Sequence, residues 1–297
     1  MTQRDTALDE IWGSIWLDGT LVPAGKGVVS AFDRGLLYGD GLYETIRVYS
    51  GVPLMLGEHL RRLRQGAQVL RMPVPDEDFI RRAVDSVIRA NALEEAYLRL
   101  TLTRGVDPDD WTKLEPCRPS LIVMARPLPS RDYGDGFALA VSPFRVDPAS
   151  PLRGVKHTGI MPKIMARRLA ADEGCQDALL LTPDGFVGEA SAASVFWVRD
   201  GVLFTPSLDC GILDGLTRML VLRVAPWGDI PAEEGQYPLE RLLQADEVFL
   251  TSSTWELVPV KRVGESDFAA PRPGRVTRRL IELYRQEVRR LIEEDLP

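Results

Sequence analysis

Residues 154–168 read GVKHTGIMPKIMARR, and the lysine at 156 is out of character with its chain. Of 36 basic side chains, lysine takes only positions 26, 113, 156, 163 and 261, and arginine takes all the others. Arginine holds a charge as well as lysine does, but it does not readily lose a proton and attack a carbonyl. Lys156 lies beside His157, one of two histidines, between a strand and a helix whose Pro162 is tolerated because it falls in the first turn. Two readings of Lys156 stand at this point: a surface lysine, and an amine kept for its nucleophilicity.

Outward from this stretch, the pattern alternates between periods of two and of three to four. Toward the N-terminus, IWLDGTLVPA (15–24) reads as a hairpin around Asp18-Gly19. LLYGDGLYETIRVYSGVPLML (36–56) reads as two extended runs around Ser50-Gly51. Leu60, Leu63, Ala67 and Leu70 mark an amphipathic helix, and a second helix begins near Asp76 with Phe79, Ala83 and Val87 on one face. YLRLTLTRG (97–105) and SLIVMARPL (120–128) read as strands. Toward the C-terminus, FALAVSPFRV (137–146) is a strand and 160–173 a helix. DALLLTPDGFVGE and SVFWVRDGVLFTP are strand pairs around glycine turns, and VFLTSS (248–253) is a further strand. Asp214 is placed to cap a helix over 215–225, and Leu280, Tyr284, Val288 and Leu291 mark the buried stripe of a closing helix. RPLPSRDYGDG (126–136) concentrates Pro, Gly, Asp and Ser, as a linker does. The division expected is an N-terminal domain over 1–125, a linker over 126–136 and a larger domain over 137–297 that carries Lys156. Long strand runs with segregated helices indicate an α+β class rather than a doubly wound sheet.

The totals narrow the function. A net charge of −7 and a pI near 5.1 argue against a nucleic-acid partner. The apolar runs are too short to span a bilayer, so no membrane partner is expected. No charged stretch followed by an apolar one opens the chain, which makes cytoplasmic the expected location. Three scattered cysteines suggest reduced thiols. With two histidines and no C-x-x-C, no metal site is expected, and no G-x-S-x-G marks a serine nucleophile.

Other stretches alter the standing of Lys156. Arg62 lies in HLRRL (59–63), where it is either a solvated helix arginine or a fork for a phosphate. CGILDGLTR (210–218) leads a glycine-punctuated loop into a helix, an arrangement whose N–H groups bind anions or water. TSST (251–254) gathers hydroxyls at a strand end. Together these make a cup for one phosphate group. Glu189, followed by small residues, reads either as a turn cap or as the partner of a protonated ring nitrogen. An amine, a phosphate cup and a carboxylate for a pyridinium are the requirements of pyridoxal phosphate.

The order of these stretches resembles the class-IV (fold type IV) pyridoxal-phosphate aminotransferases, the family of branched-chain and D-amino-acid aminotransferases and aminodeoxychorismate lyase. The likeness runs from DRGLLYGDGLYETIRVY (33–49) through HLRRL and GVKHTG (154–159). It continues through GFVGEASAASVFWV (185–198), GILDGLTR (211–218) and TSSTWELVPV (251–260). The resemblance implies two α/β lobes with pyridoxal 5′-phosphate in the cleft between them, and a homodimer. It also implies that Lys156 forms the internal aldimine and shuttles the proton between substrate Cα and cofactor C4′. Arg62, Leu216, Thr217, Ser253 and Thr254 would hold the phosphate, and Glu189 the ring nitrogen.

The same resemblance bears on the substrate. Met161 stands where branched-chain enzymes carry a tyrosine. Asp109 and Trp111, in RGVDPDDW (104–111), stand where the D-amino-acid enzymes carry a basic pair. Tyr97 and Arg99 resemble the branched-chain pocket residues, or are a core tyrosine and a structural ion-pair partner; Tyr38 and Tyr43 match aromatic pocket positions, or are sheet packing. The expected function is transfer of an amino group from a small-molecule donor (a branched-chain L- or a D-amino acid, or a primary amine) to a 2-oxo acid. The alternative is aminodeoxychorismate lyase, releasing pyruvate and 4-aminobenzoate, with KH at 156–157, ASVFW at 193–197 and LLQADEV at 242–248 in its favour. TSSTWE resembles the aminotransferases instead. A binding protein that keeps the scaffold without the chemistry is a third class, set against the joint presence of Lys156, Glu189 and Arg62.

Overall fold

Asp18 and Gly19 both take positive φ, 48° and 99°, so β1 (Ser14–Leu17) and β2 (Thr20–Pro23) close as the expected two-residue hairpin. The structure, a computed structural model, describes residues 13–106, 118–128, 133 and 135–295. Asp109, Trp111 and, within the expected linker, residues 129–132 and 134 lie outside the described residues. The chain divides into one unit of Met1–Pro129, Val155–Gly159 and Asp295–Pro297, and another of Ser130–Gly154 and Ile160–Glu294.

The first unit is a two-layer α/β sandwich. Its six strands run in the order β2-β1-β6-β5-β3-β4, with β3 (Gly41–Tyr49), β4 (Val52–Pro53), β5 (Ala96–Thr103) and β6 (Ser120–Pro127). Leu42, Ile46 and Val48 alternate inward on β3, as do Leu98, Leu100 and Leu102 on β5. They pack beneath Leu60, Leu63 and Ala67 of α2 (Leu56–Leu70) and Ile80, Ala83 and Val87 of α3 (Glu77–Ala90), the two helices that the periodicity predicts. Asp76 starts α3 by accepting a hydrogen bond from Asp78 N at 2.9 Å. Each fully buried aliphatic side chain is worth about 1.5–3 kcal/mol, so this row sets which face of the sheet is covered. Residues 36–38 are not extended: α1 (Arg34–Tyr38) forms because Asp33 accepts from Gly35 N at 2.7 Å and Gly39 ends the turn at φ 70°.

Lys156, expected on the C-terminal domain, is held in this first unit. Tyr43 N donates to Lys156 O at 3.0 Å and Thr158 N donates to Gly41 O at 2.8 Å. These bonds make 156–158 a short antiparallel addition to the edge of β3, with Leu42 bridged to His157.

The second unit is built on a nine-stranded sheet ordered β12-β11-β10-β13-β14-β7-β8-β9, with β15 paired to β14. Its strands are β7 (Phe137–Arg145), β8 (Asp177–Leu181), β9 (Val187–Ala190), β10 (Ser194–Arg199) and β11 (Val202–Pro206). β12 (Ala232–Gly235), β13 (Glu247–Ser252), β14 (Glu256–Val263) and β15 (Ser266–Asp267) complete it. The parallel pair β7–β8 is joined through α4 (Met161–Asp172), whose Ala166 and Ala170 lie against Ala138, Ala140 and Ala178. Small residues on both sides let helix and sheet approach closely. α5 (Leu216–Val224) and the short α6 (Leu239–Leu243) precede α7 (Arg275–Asp295). On α7 the buried stripe takes Ile292 rather than Leu291. The architecture is α+β, as the long strand runs and segregated helices predict.

Candidate active site

On β3 the inward row Leu42, Ile46, Val48 is interrupted by Glu44, which is fully buried. A carboxylate in that row is there for its partners. His59 Nδ1 lies 2.7 Å from Glu44 Oε2, and Arg62 donates through Nε to Oε1 at 2.9 Å and through Nη2 to Oε2 at 2.6 Å. Burial alone would raise the pKa of Glu44, but the Arg62 charge and the contacts with His59 outweigh it and bring the pKa down to about 2. Burial also lowers the pKa of His59, against the pull of Glu44, so the imidazole is neutral and donates its Nδ1–H. Arg62 is thus clamped by the buried carboxylate through two parallel N–H bonds, which fixes the direction of its guanidinium plane. Glu44 and His59 were missed as site residues; the charge at an inward strand position was the signal for Glu44.

The opposite face of the same sheet carries Tyr43, Tyr97 and Arg99, all half-buried. The Arg99 guanidinium stacks 3.4 Å from the centroid of the Tyr43 ring, and Lys156 Nζ sits 4.6 Å from the same centroid. Lys156 is half-buried and not immersed in bulk solvent. Burial lowers the pKa of Arg99 from the ordinary arginine value, and among the described residues no carboxylate lies within ion-pair distance of it. Tyr97 is half-buried on this face, not among the fully buried core residues. Tyr38 ends α1, more than half exposed, and is not part of the sheet.

In the second unit, Glu189 is buried on β9. Its Oε1 takes Lys163 Nζ at 2.7 Å and its Oε2 accepts from Leu213 N at 3.3 Å. Two residues on, Ser191 Oγ donates to Oδ1 of Asp177, a buried carboxyl whose pKa is raised chiefly by burial. The start of α5 differs from the expected one. Its N-cap is Gly215, not Asp214, and no side chain caps it, because the glycine backs onto Ser194: a Cβ there would lie 2.8 Å from Ser194 Oγ. Ser194 pairs with Thr251 across β10 and β13. The Thr251 hydroxyl is buried and, among the described residues, has no hydrogen-bond partner.

An uncapped helix N-terminus with a buried hydroxyl left over nearby is a donor set that an anionic oxygen would satisfy. Leu216 and Thr217 open the helix, both buried, and Ser253 and Thr254 stand half-buried in the turn after β13. Trp255 N donates to Ser252 Oγ at 3.2 Å and closes that turn. Lys156, Arg62, Tyr43, Tyr97 and Arg99 thus belong to the first unit, and Glu189, Leu216, Thr217, Ser253 and Thr254 to the second. Sequence reasoning included Thr251 only as part of the TSST hydroxyl run and did not single out Ser194 or Lys163. Among the described residues no cluster of His, Cys, Asp and Glu could hold a metal ion, and no helix is long and apolar enough to cross a membrane.

These features agree with what is found among known proteins. The family Amino-transferase class IV matches residues 41–263, and the chain belongs to it. A protein of Methanocaldococcus jannaschii whose name places it among the branched-chain-amino-acid aminotransferases is 36% identical over 91% of this chain and 95% of its own length. The aminodeoxychorismate lyase of Bacillus subtilis is 29% identical over 94% of this chain and 96% of its own. The branched-chain amino acid aminotransferase of Thermobaculum terrenum, solved in its PLP form, superposes with a TM-score of 0.84 at 26% identity, covering 93% of this chain and 94% of that one.

Proposed function

We propose that the chain is a pyridoxal-phosphate-dependent aminotransferase that moves an amino group between an amino acid and a 2-oxo acid. The observation that carries this reading is the stack on Tyr43, where one amine and one guanidinium share a single aromatic ring. The amine of Lys156 can attack a carbonyl, and the guanidinium of Arg99 is a receptor for the carboxylate that amino acids and 2-oxo acids carry.

When bound, pyridoxal phosphate supplies an aldehyde that accepts the amino group and a conjugated ring that holds the electron pair released at Cα. Lys156 would bind the aldehyde carbon at rest and, once released, move the proton on substrate Cα. Glu189, fixed through both oxygens, would accept the ring N–H. The N–H groups at the start of α5 with Thr217, Ser253, Thr254 and the Arg62 guanidinium would bind the phosphate. Tyr43 and Tyr97 would wall the substrate, with Arg99 on its carboxylate.

Three donor classes come into question: branched-chain L-amino acids, D-amino acids and primary amines. The second reading is aminodeoxychorismate lyase, favoured by the Bacillus subtilis relative and by the Lys156-His157 pair. Incubating the protein with a donor panel of both enantiomers and 2-oxoglutarate or pyruvate decides among them. Glutamate or alanine is the expected product, and pyruvate from aminodeoxychorismate without amino transfer overturns the proposal. Lys156→Ala is expected to lose on the order of 10³-fold in turnover; unchanged turnover would refute the role given to Lys156.

The chain is also expected to pair with a second copy of itself. Val28, Phe32, Leu36, Leu37 and Tyr38 expose apolar surface within eleven residues, and an apolar patch of this kind marks an interaction surface.

A further inference from the structure

Lys163 is one of five lysines in the chain, and its ammonium lies 2.7 Å from Oε1 of Glu189. The two side chains are unequal in exposure, 35% for Lys163 and 7% for Glu189, so the cation reaches in from the first turn of α4 to a carboxylate largely shielded from water. Leu213 N donates to the other oxygen at 3.3 Å. Glu189 and Lys163 therefore already balance one negative with one positive charge. A ring nitrogen that keeps its proton would bring a second cation to the same carboxylate. In a shielded place two like charges a few ångströms apart repel well beyond thermal energy.

Resting on the proposed function above, we infer that Lys163 is a positioning residue that holds Glu189 in place and competes with the protonated ring nitrogen for it. The chain thus grips pyridoxal phosphate, and the proton on its ring nitrogen, more weakly than Glu189 would alone. Lys163 touches neither the aldehyde nor the phosphate in this account; it acts through Glu189.

The test is an equilibrium titration of the cofactor-stripped protein with pyridoxal phosphate and, separately, with its analogue carrying CH in place of the ring nitrogen. Wild type is compared with Lys163→Met, Lys163→Gln and Lys163→Arg. Both neutral variants are expected to bind pyridoxal phosphate on the order of tenfold more tightly than wild type, while the carbon analogue binds all four proteins alike. Lys163→Arg keeps the charge and is expected to match wild type. In ¹⁵N spectra of the labelled cofactor, the ring nitrogen is expected to carry a proton over a wider pH range in the neutral variants. If Lys163→Met unfolds, Lys163→Gln, which keeps a donor to Oε1, answers the same question. Equal affinity of wild type and the neutral variants overturns the inference, as does an equal gain for the carbon analogue. Those outcomes leave the proposed function intact. A wild-type protein that takes up no pyridoxal phosphate overturns both.

Discussion

Glu44 shows how a single side chain is held against its own desolvation. The carboxylate is fully buried, yet its pKa falls to about 2 because Arg62 and His59 together outweigh the effect of burial. Removing one partner of a buried ion pair leaves the other charge poorly compensated, a loss of roughly 3–5 kcal/mol. Glu44→Gln is therefore expected to shift the urea midpoint down by a corresponding amount at pH 7. The sign of its pH dependence follows from the depressed pKa. The stabilisation is complete above the unfolded value of 4.5 and is lost as pH falls through about 2, so the gap between wild type and Glu44→Gln should close across that window. Urea titrations at stepped pH check this, and a gap that stays constant from pH 5 to pH 2 contradicts the assignment.

At the level of elements, legibility followed the length of the pattern. α2 and α3 were readable because their apolar residues recur over 15 and 14 residues, and the first hairpin because Asp18-Gly19 suits positive φ. α1 was not, since five residues are too few for a periodicity, and only the Asp33 cap and Gly39 reveal it. The candidate site was legible as separate stretches but not as contacts. Glu44 meets Arg62 across 18 residues, and Lys163 meets Glu189 across 26. Those meetings depend on how helix and strand pack, which no local pattern states. The start of α5 was misread for a related reason: an aspartate at 214 suggested a cap, but the close approach of Ser194 places glycine at the N-cap. Across the sheet from Ser194, Thr251 keeps a hydroxyl with nothing to bond among the described residues. Thr251→Val, which removes that hydroxyl at nearly constant shape, is expected to stabilise the cofactor-free protein by about 1 kcal/mol. Thermal melts of the stripped protein measure it, and a lower midpoint for the variant shows that the hydroxyl has a partner.

At the scale of the whole molecule, exposed apolar side chains concentrate in one short segment. Val28 is 78% exposed, Phe32 62% and Leu36 67%, and these belong to a loop and to the short α1 rather than to a packed element. Charges placed there meet little resistance in a lone chain but are costly once the face is covered. Phe32→Asp with Leu36→Asp is expected to leave the melting of the first unit's core nearly unchanged while converting a dimer to a monomer in sedimentation velocity. A wild-type monomer at tens of micromolar removes the premise. Another consequence follows from the way residues 156–158 are laced to the rim of β3. The main chain beneath Lys156 is part of the sheet, so whatever travel its nitrogen makes during turnover comes from the four methylene torsions of its side chain. The tether is short and its anchor stiff, and the stroke of the amine is therefore a matter of rotamer hops rather than of a swinging loop.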